Sequence, residues 1–255
     1  SFYVPNGAFV ELADGIRRVV KIPVATVGRI NSPQLAEEII LSGKADLVAM
    51  GRASVADPDL PKKLQAGNTQ SILTCIGCCQ GCLGSTLKKK TLTCLVNPFA
   101  GKETTHSPED RAEAAKRILV VGGGISGCEA AVITAMRGHR VTLVERGERL
   151  GGQWNAASVP RCKADFSSFV SWQKHMLRQL GVTVILGREA DRELLVDAAP
   201  DLVLDATGSN PVRCSGAGSG DSKDCLCPGD PYGKKPFGAI SDHRRRTGRA
   251  ETAEL

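Results

Sequence analysis

Four cysteines close together in the sequence are the residues that most directly indicate chemistry. Cys75, Cys78, Cys82 and Cys94 have the spacing C-x2-C-x3-C-x11-C in the run CIGCCQGCLGSTLKKKTLTCLVNP. An iron–sulfur cluster is held by four Cys thiolates, and short spacings let one loop surround it. A zinc site of four cysteines usually pairs two C-x2-C knuckles across a longer stretch. The spacing therefore favours a [4Fe–4S] cluster over zinc or no metal, and Cys79 is left out because adjacent residues seldom both face one cluster.

Glycines and an acidic residue further along have the pattern of a dinucleotide-binding turn. An apolar segment, Ile118–Val121, is followed by G-x-G-x-x-G, formed by Gly122, Gly124 and Gly127. Such glycines allow a tight turn and a close approach to a pyrophosphate, which the N-terminus of the following helix attracts. Glu145 ends the next predicted strand and is placed to bind ribose hydroxyls, which favours an unphosphorylated ribose, as in FAD or NAD.

Two short turns near this motif favour FAD. The segment Leu150-Gly151-Gly152-Gln153 comes soon after the acidic residue, and the apolar strand beginning at Leu202 ends in Ala-Thr-Gly. Both turns are typical of FAD domains similar to those of flavoprotein disulfide reductases. We therefore expect four residues of these turns to lie near the cofactor: Gly152, Gln153, Thr207 and Gly208.

Two Gly-Arg pairs each end a predicted strand in the N-terminal region. Gly28-Arg29 ends the strand PVATVG, and Gly51-Arg52 ends the strand ADLVAMG. Glycine lets backbone N–H groups approach an anion closely, and arginine pairs with phosphate through two hydrogen bonds. In (β/α)8 barrels the loops after strands 7 and 8 often form a phosphate site. The matching strand ends favour a phosphate site, with ordinary turns as the alternative.

The elements that position these residues follow an alternating pattern. Before the cysteines we predict helices over Phe9–Val20, Gln34–Ser42 and Asp59–Leu64, separated by the two strands. Ser32-Pro33 provides an N-cap and a first-turn proline for the middle helix, and Gly43 ends it. This alternation suits parallel strands with crossover helices.

A polar segment, 101–116, separates the cysteines from the glycine motif and contains Pro108. It is predicted to be a linker with a short helix near Glu109–Ala115. Beyond the glycine motif, a helix over Phe166–Leu180 and a strand over Val182–Leu186 continue the alternation.

The composition is that of an ordinary globular protein. The chain has 255 residues, a hydrophobic fraction of 42% and a net charge of +6, which suits phosphate-bearing ligands and a solvated surface equally well. No apolar run reaches the roughly 18 residues of a membrane span, and no signal peptide is visible. We therefore expect a cytoplasmic protein with no disulfides and no membrane partner.

Taken in order, these segments resemble the iron–sulfur flavoprotein branch of the old yellow enzyme family. That branch includes 2,4-dienoyl-CoA reductase, trimethylamine dehydrogenase and enoate reductases. The matching stretches are PVATVGRI, ADLVAMGRASVADPDLP, CIGCCQGCL, CLVNP and ILVVGGGISGCEAA…VTLVERGERLGGQ…DATGSNP. The resemblance covers about residues 5–212, and three separate motifs in the same order make it more specific than any one of them.

The resemblance implies an α/β fold in five parts. Residues 1–70 correspond to the last two β-α units of an FMN-binding (β/α)8 barrel, 71–100 to a [4Fe–4S] loop and 101–116 to the linker. Residues 117–212 correspond to a partial Rossmann-like FAD-binding domain. Residues 213–255 are rich in Gly, Ser and charge, and we expect a tail that is disordered or foreign to the family.

The resemblance also implies an activity. In the reductases of this branch, electrons pass from NAD(P)H to FAD, through the cluster to FMN, and then to an enone or enoyl-CoA. The FMN phosphate would be held by Gly28, Arg29, Gly51 and Arg52, and the cluster by Cys75, Cys78, Cys82 and Cys94. FAD would be held by Gly122, Gly124, Gly127, Glu145, Gly152, Gln153, Thr207 and Gly208. The partner would be a small unsaturated carbonyl or acyl-CoA substrate, and an oligomer is compatible with the sequence.

The chain lacks parts that this chemistry requires. Only the last two barrel strands are present, whereas the first six carry the flavin-ring contacts and the substrate acid/base residues, usually Tyr and His. None of the four histidines lies on a predicted barrel strand: His106, His139, His175 and His243. We therefore name no catalytic residue and place the NAD(P)H site outside this chain. We expect a fragment that does not turn over alone, because two strands cannot close a barrel.

Two other interpretations remain open: an electron-transfer or cofactor-binding module without a substrate site, and an inactive gene remnant. After Pro211 the sequence no longer matches the family, which suggests a frameshifted or artificial terminus. In this tail, Cys225-x-Cys227 is interpreted as incidental. The basic run His243–Arg246 is interpreted as a solvated segment and not as a nucleic-acid site.

Overall fold

The N-terminal region alternates helices with two short parallel strands. A computed structural model of the chain describes residues 3–208. The elements before the cysteines are α1 (Val10–Arg17), β1 (Ala25–Thr26), α2 (Pro33–Leu41), β2 (Leu47–Val48), α3 (Gly51–Ala56) and α4 (Leu60–Gln65). β1 and β2 pair in parallel, with Ala25 opposite Leu47 and helix α2 as the crossover between them.

The local signals of α2 are those that the sequence predicts. The Ser32 side chain accepts a hydrogen bond from the Leu35 N–H at 3.2 Å, and Pro33 lies in the first turn. Gly43 follows the helix with φ 69°, a conformation that glycine adopts without strain. The strands are shorter than predicted because, among the described residues, β1 and β2 pair only with each other.

The cysteine segment has little regular structure. It contains a 3-10 turn over Thr69–Ser71 and the helix α5 (Leu83–Leu87), which begins directly after Cys82. The segment is held by a core of Leu73, Ile76 and Val96 that includes Phe166 and Phe169 from a distant part of the chain. The loop is therefore positioned by tertiary packing and not by a ladder of backbone hydrogen bonds.

The predicted short helix near Glu109–Ala115 is wrong, because the whole segment 101–116 has neither helix nor strand. Ser107 and Asp110 close a local turn, in which the Ser107 N–H donates to the Asp110 carboxylate at 2.9 Å. The Ala112 N–H then donates to the Arg137 carbonyl oxygen at 3.0 Å, so it does not enter a helical ladder. Side-chain and long-range partners thus replace helix formation here.

A four-stranded parallel sheet forms the second half of the described chain. Its strands are β3 (Arg117–Val121), β4 (Arg140–Glu145), β5 (Thr183–Leu186) and β6 (Leu202–Asp205), in the order β5-β4-β3-β6. The accompanying helices are α6 (Ile125–Met136), α7 (Gln153–Ala157), α8 (Phe166–Gln179) and α9 (Arg192–Ala198). The chain therefore has the predicted α/β class, with parallel strands joined by helices.

Alternate residues of the sheet pack on opposite faces. Val120 and Leu143 belong to the core shared with α6 and α8, whereas Leu119 and Val144 pack with Leu194 of α9. A strand buried on both faces has an almost continuous apolar sequence, as β3 does. Helices on the two faces complete a three-layer arrangement.

Helix α8 joins the sheet region to the segments before it. The Trp172 indole N–H donates to the Ser71 carbonyl oxygen at 3.0 Å. Residues up to Thr207 accordingly form one compact unit. The predicted features of the tail, Cys225-x-Cys227 and His243–Arg246, lie outside the described residues.

Within residues 3–208, no helix has the length and apolar character needed to cross a bilayer.

Candidate functional site

The three motif glycines lie at the junction of β3 and α6, with Gly122 and Gly124 between the two elements and Gly127 in the first turn of α6, and they face different neighbours. A Cβ added at Gly127 would overlap the Gly122 carbonyl oxygen, so this glycine allows close packing of helix against turn. Gly122 has φ 107° and lies against the backbone of Ala206. No described atom lies within 4 Å of a Cβ added at Gly124, the N-cap of α6. These are the three roles of a dinucleotide-binding turn, in which the second glycine leaves room for the pyrophosphate.

The predicted FAD-binding segments meet around this turn. The Gly151 N–H donates to the Gly123 carbonyl oxygen at 2.8 Å, and Gly152 lies against Gly124. Gln153 begins α7 directly after these glycines. The Glu145 carboxylate accepts hydrogen bonds from the N–H groups of Gly123 at 2.6 Å and Gly147 at 2.7 Å. A carboxylate can accept about four hydrogen bonds, so Glu145 keeps acceptor capacity for a ribose.

At the end of β6, the Ala-Thr-Gly turn lies against the first glycine of the motif. The Thr207 N–H and hydroxyl both hydrogen-bond to Asp205, at 3.0 and 2.8 Å. Ala206 packs against Gly122 and Gly127, and Gly208 has φ 77°. The structure therefore brings the predicted FAD residues up to Thr207 to one edge of the sheet.

The fourth cysteine, distant in sequence, is brought to the other three by a backbone pair. The Thr93 N–H donates to the Gly81 carbonyl oxygen at 2.9 Å, so the following Cys94 lies alongside Cys82. A Cβ at Gly81 would be 2.6 Å from the Thr93 carbonyl oxygen, which explains the glycine. Three of the four cysteines pack on one core, beside Phe166 and Phe169: Cys75, Cys78 and Cys94.

The four thiols influence one another electrostatically. Burial raises the pKa of the Cys75 thiol, Arg52 opposes this, and the nearby Cys94 and Cys78 raise the pKa further. Burial likewise raises the pKa of Cys78, with Cys94 and Cys82 among the charges that add to the effect. Four thiolates here need positive charge among them. In the described part of the chain, however, no three His, Cys, Asp or Glu side chains are grouped to hold one metal ion.

The second Gly-Arg pair adjoins the cysteine loop. The Arg52 guanidinium lies 3.1 Å from the Cys79 sulfur, and Cys79 has φ 58°, which is unusual for a residue other than glycine. No described atom lies within 4 Å of a Cβ added at Gly51, so a ligand has room to approach its backbone.

In the first Gly-Arg pair, both residues already have partners within the protein, whereas the sequence predicts a phosphate as their ligand. Gly28 has φ 125° and lies against Phe9, so its own packing already requires glycine. The Arg29 guanidinium is mostly buried, with 9% of the side chain exposed, and forms an ion pair with Asp165 at 2.8 Å. It also donates to the Val4 carbonyl oxygen. A phosphate bound here would therefore meet the backbone more readily than this guanidinium.

Asp165 and Asn31 are site residues that the motifs do not indicate. The Asn31 side-chain amide donates to Asp165 at 2.8 Å and to the Cys75 carbonyl oxygen at 2.9 Å. Asp165 directly precedes α8, and Asn31 precedes α2. The sequence shows Asn31 only as a polar residue two positions after Gly28-Arg29. Its hydrogen-bond partners, Cys75 and Asp165, are more than forty residues away, so the sequence does not indicate them.

Trp154 and the aromatic residues of α8 line the space between the glycine turn and the cysteines. Trp154 stacks on Phe166 with ring centroids 4.8 Å apart and donates its indole N–H to the Phe166 carbonyl oxygen at 2.8 Å. Phe169 continues the stack to Trp172, with centroids 6.1 Å apart. The predicted FAD site and the predicted cluster site therefore adjoin one aromatic core.

Three histidines lie within the described residues, and each lies in a helix or takes part in a hydrogen bond. His139 accepts a hydrogen bond from the Lys116 N–H at 3.2 Å, and His106 hydrogen-bonds to the neighbouring Thr105. His175 lies within α8, as predicted. None of these three has a place in the sites described above, and we assign no catalytic residue.

The chain matches two family models in separate regions. Residues 8–71 match the NADH:flavin oxidoreductase / NADH oxidase family, and residues 117–193 match the FAD dependent oxidoreductase family. The cysteine segment lies between the two matched regions.

Known proteins resemble the chain across both regions. It is 45% identical over 215 residues to NADH oxidase of Thermoanaerobacter brockii, covering 83% of this chain and 33% of that protein. It is 38% identical over 209 residues to cinnamate reductase of Clostridium sporogenes, covering 82% and 31%. The structure of a 2-naphthoyl-CoA reductase complex matches with a TM-score of 0.80 at 33% identity, covering 84% and 33%. The chain thus spans about a third of the length of the relatives it matches.

Proposed function

Because this chain belongs to the NADH:flavin oxidoreductases related to old yellow enzyme, we propose that it carries the cofactor relay of such an enzyme. The relay would hold FAD at the glycine turn, a [4Fe–4S] cluster at the four cysteines, and the FMN phosphate at the two Gly-Arg strand ends. When bound, these groups pass electrons from NAD(P)H to FMN for reduction of a substrate double bond. The protein positions the groups and tunes them.

The glycine turn supports FAD binding. Open space at Gly124 lies at the N-terminus of the twelve-residue helix α6, whose dipole and N–H groups favour a pyrophosphate. Gly152 and Gln153 lie across the same turn, and Glu145 closes it at the ribose position. Thr207 and Gly208 follow the neighbouring strand end.

The cysteine constellation supports an iron–sulfur cluster over zinc. Three of the cysteines lie in one tight loop and the fourth stands alone, whereas a zinc site of four cysteines usually pairs two C-x2-C knuckles. The fold brings Cys75, Cys78, Cys82 and Cys94 within electrostatic range of one another. A cluster binds each thiolate through a different iron, and short spacings let one loop surround it.

The FMN phosphate site is proposed at the paired ends of β1 and β2, as the end of a (β/α)8 barrel. Gly28, Arg29 and Gly51 would contribute backbone, and Arg52 a positive charge beside it. The parallel pairing of β1 and β2 supports this, because it places both strand ends on one edge. The remaining barrel strands, the substrate residues and the nicotinamide site are proposed to lie outside this chain.

The names of the relatives support an unsaturated carbonyl or acyl-CoA as the substrate of the complete enzyme. Cinnamate and 2-naphthoyl-CoA both carry a carbon–carbon double bond next to a carbonyl group. The observation that carries the proposal is the position of three of the four cysteines, Cys75, Cys78 and Cys94, on one aromatic core that also contacts Ile125 and Trp154 beside the glycine turn.

The proposal is tested by anaerobic reconstitution of the chain with iron and sulfide. We expect about four iron and four sulfide per chain and visible absorption from the cluster. Cys75→Ser should abolish this absorption, whereas the matched control Cys79→Ser should retain it, because Cys79 is outside the proposed ligand set. Binding of one zinc with no iron, or equal losses in both variants, would contradict the proposal.

A further inference from the structure

We propose that the Arg29–Asp165 ion pair is a positioning and charge-balancing device that sets the reduction potential of the cluster. The inference rests on the proposed cluster site and adds residues that lie outside its ligand set. Asp165 belongs to the part of the chain that carries the four-stranded sheet, here called the sheet-bearing half, and Arg29 belongs to the N-terminal half. The two residues are 136 positions apart. Their contact therefore joins the two halves beside the cysteine loop.

The connection to the cluster runs through Asn31. Its side-chain amide has two N–H groups, one donating to the same Asp165 oxygen that Arg29 contacts and the other to the Cys75 carbonyl oxygen. Asn31 is 4% exposed, so water does not compete effectively for these bonds. A change in the charge at Asp165 is therefore transmitted at hydrogen-bond distance to the backbone of a proposed ligand.

Charge in this position affects electron uptake by a cluster. Reduction adds one negative charge, and the potential of an iron–sulfur cluster depends on nearby charge, hydrogen bonds and exposure. In the native pair, Asp165 neutralises Arg29, whose side chain is 9% exposed. Removing only the carboxylate would take one negative charge away from the region of the cluster and favour its reduced state, and removing only the guanidinium would take one positive charge away and disfavour that state.

The backbone of Arg29 also indicates a special role. Its φ of 52° lies in the left-handed region, which is unfavourable for a residue with a side chain. The ion pair with Asp165 and the hydrogen bond to Val4 keep the side chain oriented toward the interior. Arg29 is therefore an oriented, mostly buried cation that is connected to the backbone of Cys75 through Asp165 and Asn31.

The experiment is a redox titration of the reconstituted full chain, followed by visible absorption and electron paramagnetic resonance. Asp165→Asn keeps a side chain that can accept from Asn31 but removes the negative charge, so we expect the potential to shift to more positive values. Arg29→Gln removes the positive charge, so we expect a shift to more negative values. The double variant Arg29→Gln/Asp165→Asn removes both charges, and its potential should return close to that of the parent.

Opposite shifts with recovery in the double variant support the inference, because loss of packing alone has no reason to reverse sign. Shifts in the same direction, or no shift in variants with full iron content, overturn it while leaving the cluster proposal intact. If Asp165→Asn does not assemble a cluster, assembly by the double variant still supports charge balance, and failure of both overturns it. A parent chain that binds no iron overturns the proposed function together with the inference.

Discussion

Gly124 and Gly127 belong to the same glycine motif but have different surroundings. Gly127 packs against the Gly122 carbonyl oxygen, so any side chain there would disturb the protein itself. Gly124 has φ −66°, which every residue adopts readily, and no described atom lies near its Cβ direction. The described fold therefore does not itself require glycine at position 124, which agrees with the proposed pyrophosphate site there.

We predict that Gly124→Ala and Gly127→Ala separate ligand binding from stability. Gly124→Ala should weaken FAD binding by at least tenfold while changing the unfolding free energy of the chain without FAD by less than about 0.5 kcal/mol. Gly127→Ala should lower that free energy by roughly 1–3 kcal/mol, because backbone must move to relieve the overlap. FAD titration by fluorescence and urea unfolding give the two quantities. Unchanged FAD affinity in Gly124→Ala would contradict the proposed pyrophosphate position.

At the scale of elements, α6 and α8 are joined by a buried polar pair. The Gln173 side-chain amide donates to the Glu129 carboxylate at 2.9 Å and to the Ile125 carbonyl oxygen at 3.0 Å. Burial raises the pKa of Glu129 to about 7, and the hydrogen bond from Gln173 only partly opposes this. Unfolding returns the carboxyl to its ordinary pKa of 4.5, so between these values the folded chain binds more protons than the unfolded chain.

The chain should therefore lose stability as pH rises from about 4.5 to about 7, by on the order of 3 kcal/mol from this group. Glu129→Gln cannot ionise, so we expect it to flatten this part of the curve and to exceed the parent in stability at pH 8. Urea unfolding at pH 5 and pH 8 measures the difference. Glu193→Gln, at an exposed position of α9, is the matched control and should follow the parent curve. A Glu129→Gln curve parallel to that of the parent would show that Glu129 is not the titrating group.

At the scale of the whole molecule, α8 holds the sheet against the segments that carry the cysteines. Its start contacts Arg29 and Asn31 through Asp165, and Trp172 further along reaches the Ser71 carbonyl oxygen. Phe166 and Phe169 fill the space between these contacts with apolar area. A displacement of α8 would therefore alter the environment of the proposed FAD site and of the proposed cluster site together.

We predict that Trp172→Phe loosens this docking specifically. The variant keeps an aromatic ring beside Phe169 but loses the hydrogen bond to Ser71, whose carbonyl oxygen retains Lys63 as a donor at 3.1 Å, so the cost should be about 1 kcal/mol. Amide hydrogen exchange at Leu73 should become faster, since this buried N–H donates to Asp57 in the segment that Trp172 holds.

Trp154→Phe is the control for that variant, because it loses an indole hydrogen bond of similar length to Phe166, which lies within the sheet-bearing half. Trp154 packs on the same core as Leu73, so exchange at Leu73 should change, but less than in Trp172→Phe. Equal acceleration of Leu73 exchange in both variants would mean that general destabilisation, and not docking through Ser71, is being measured.

Local features could be predicted from the sequence because they depend on neighbouring residues. The cap at Ser32, the turn at Gly43 and the glycine turn after β3 each require particular backbone angles or a side-chain acceptor within a few positions. The cluster loop that the cysteine spacing indicates stays a prediction. The helix predicted near Glu109–Ala115 does not form, and the Ala112 N–H instead donates to the carbonyl oxygen of Arg137, which follows α6.

Partners far apart in the sequence were decided by the tertiary structure alone. The arginine after Gly28 suggests a phosphate ligand by its type, yet its guanidinium is paired with Asp165, and Asn31 bridges that carboxylate to Cys75. Periodicity and spacing specify which face of an element is buried but not which distant element covers it. The sequence therefore determined which glycines, cysteines and charged residues are available to each proposed cofactor site. The packing of α8 decided which charged side chains meet, because it places Asp165 against Arg29 and Asn31. A buried charge is stable only with a partner, and only the tertiary structure provides that partner.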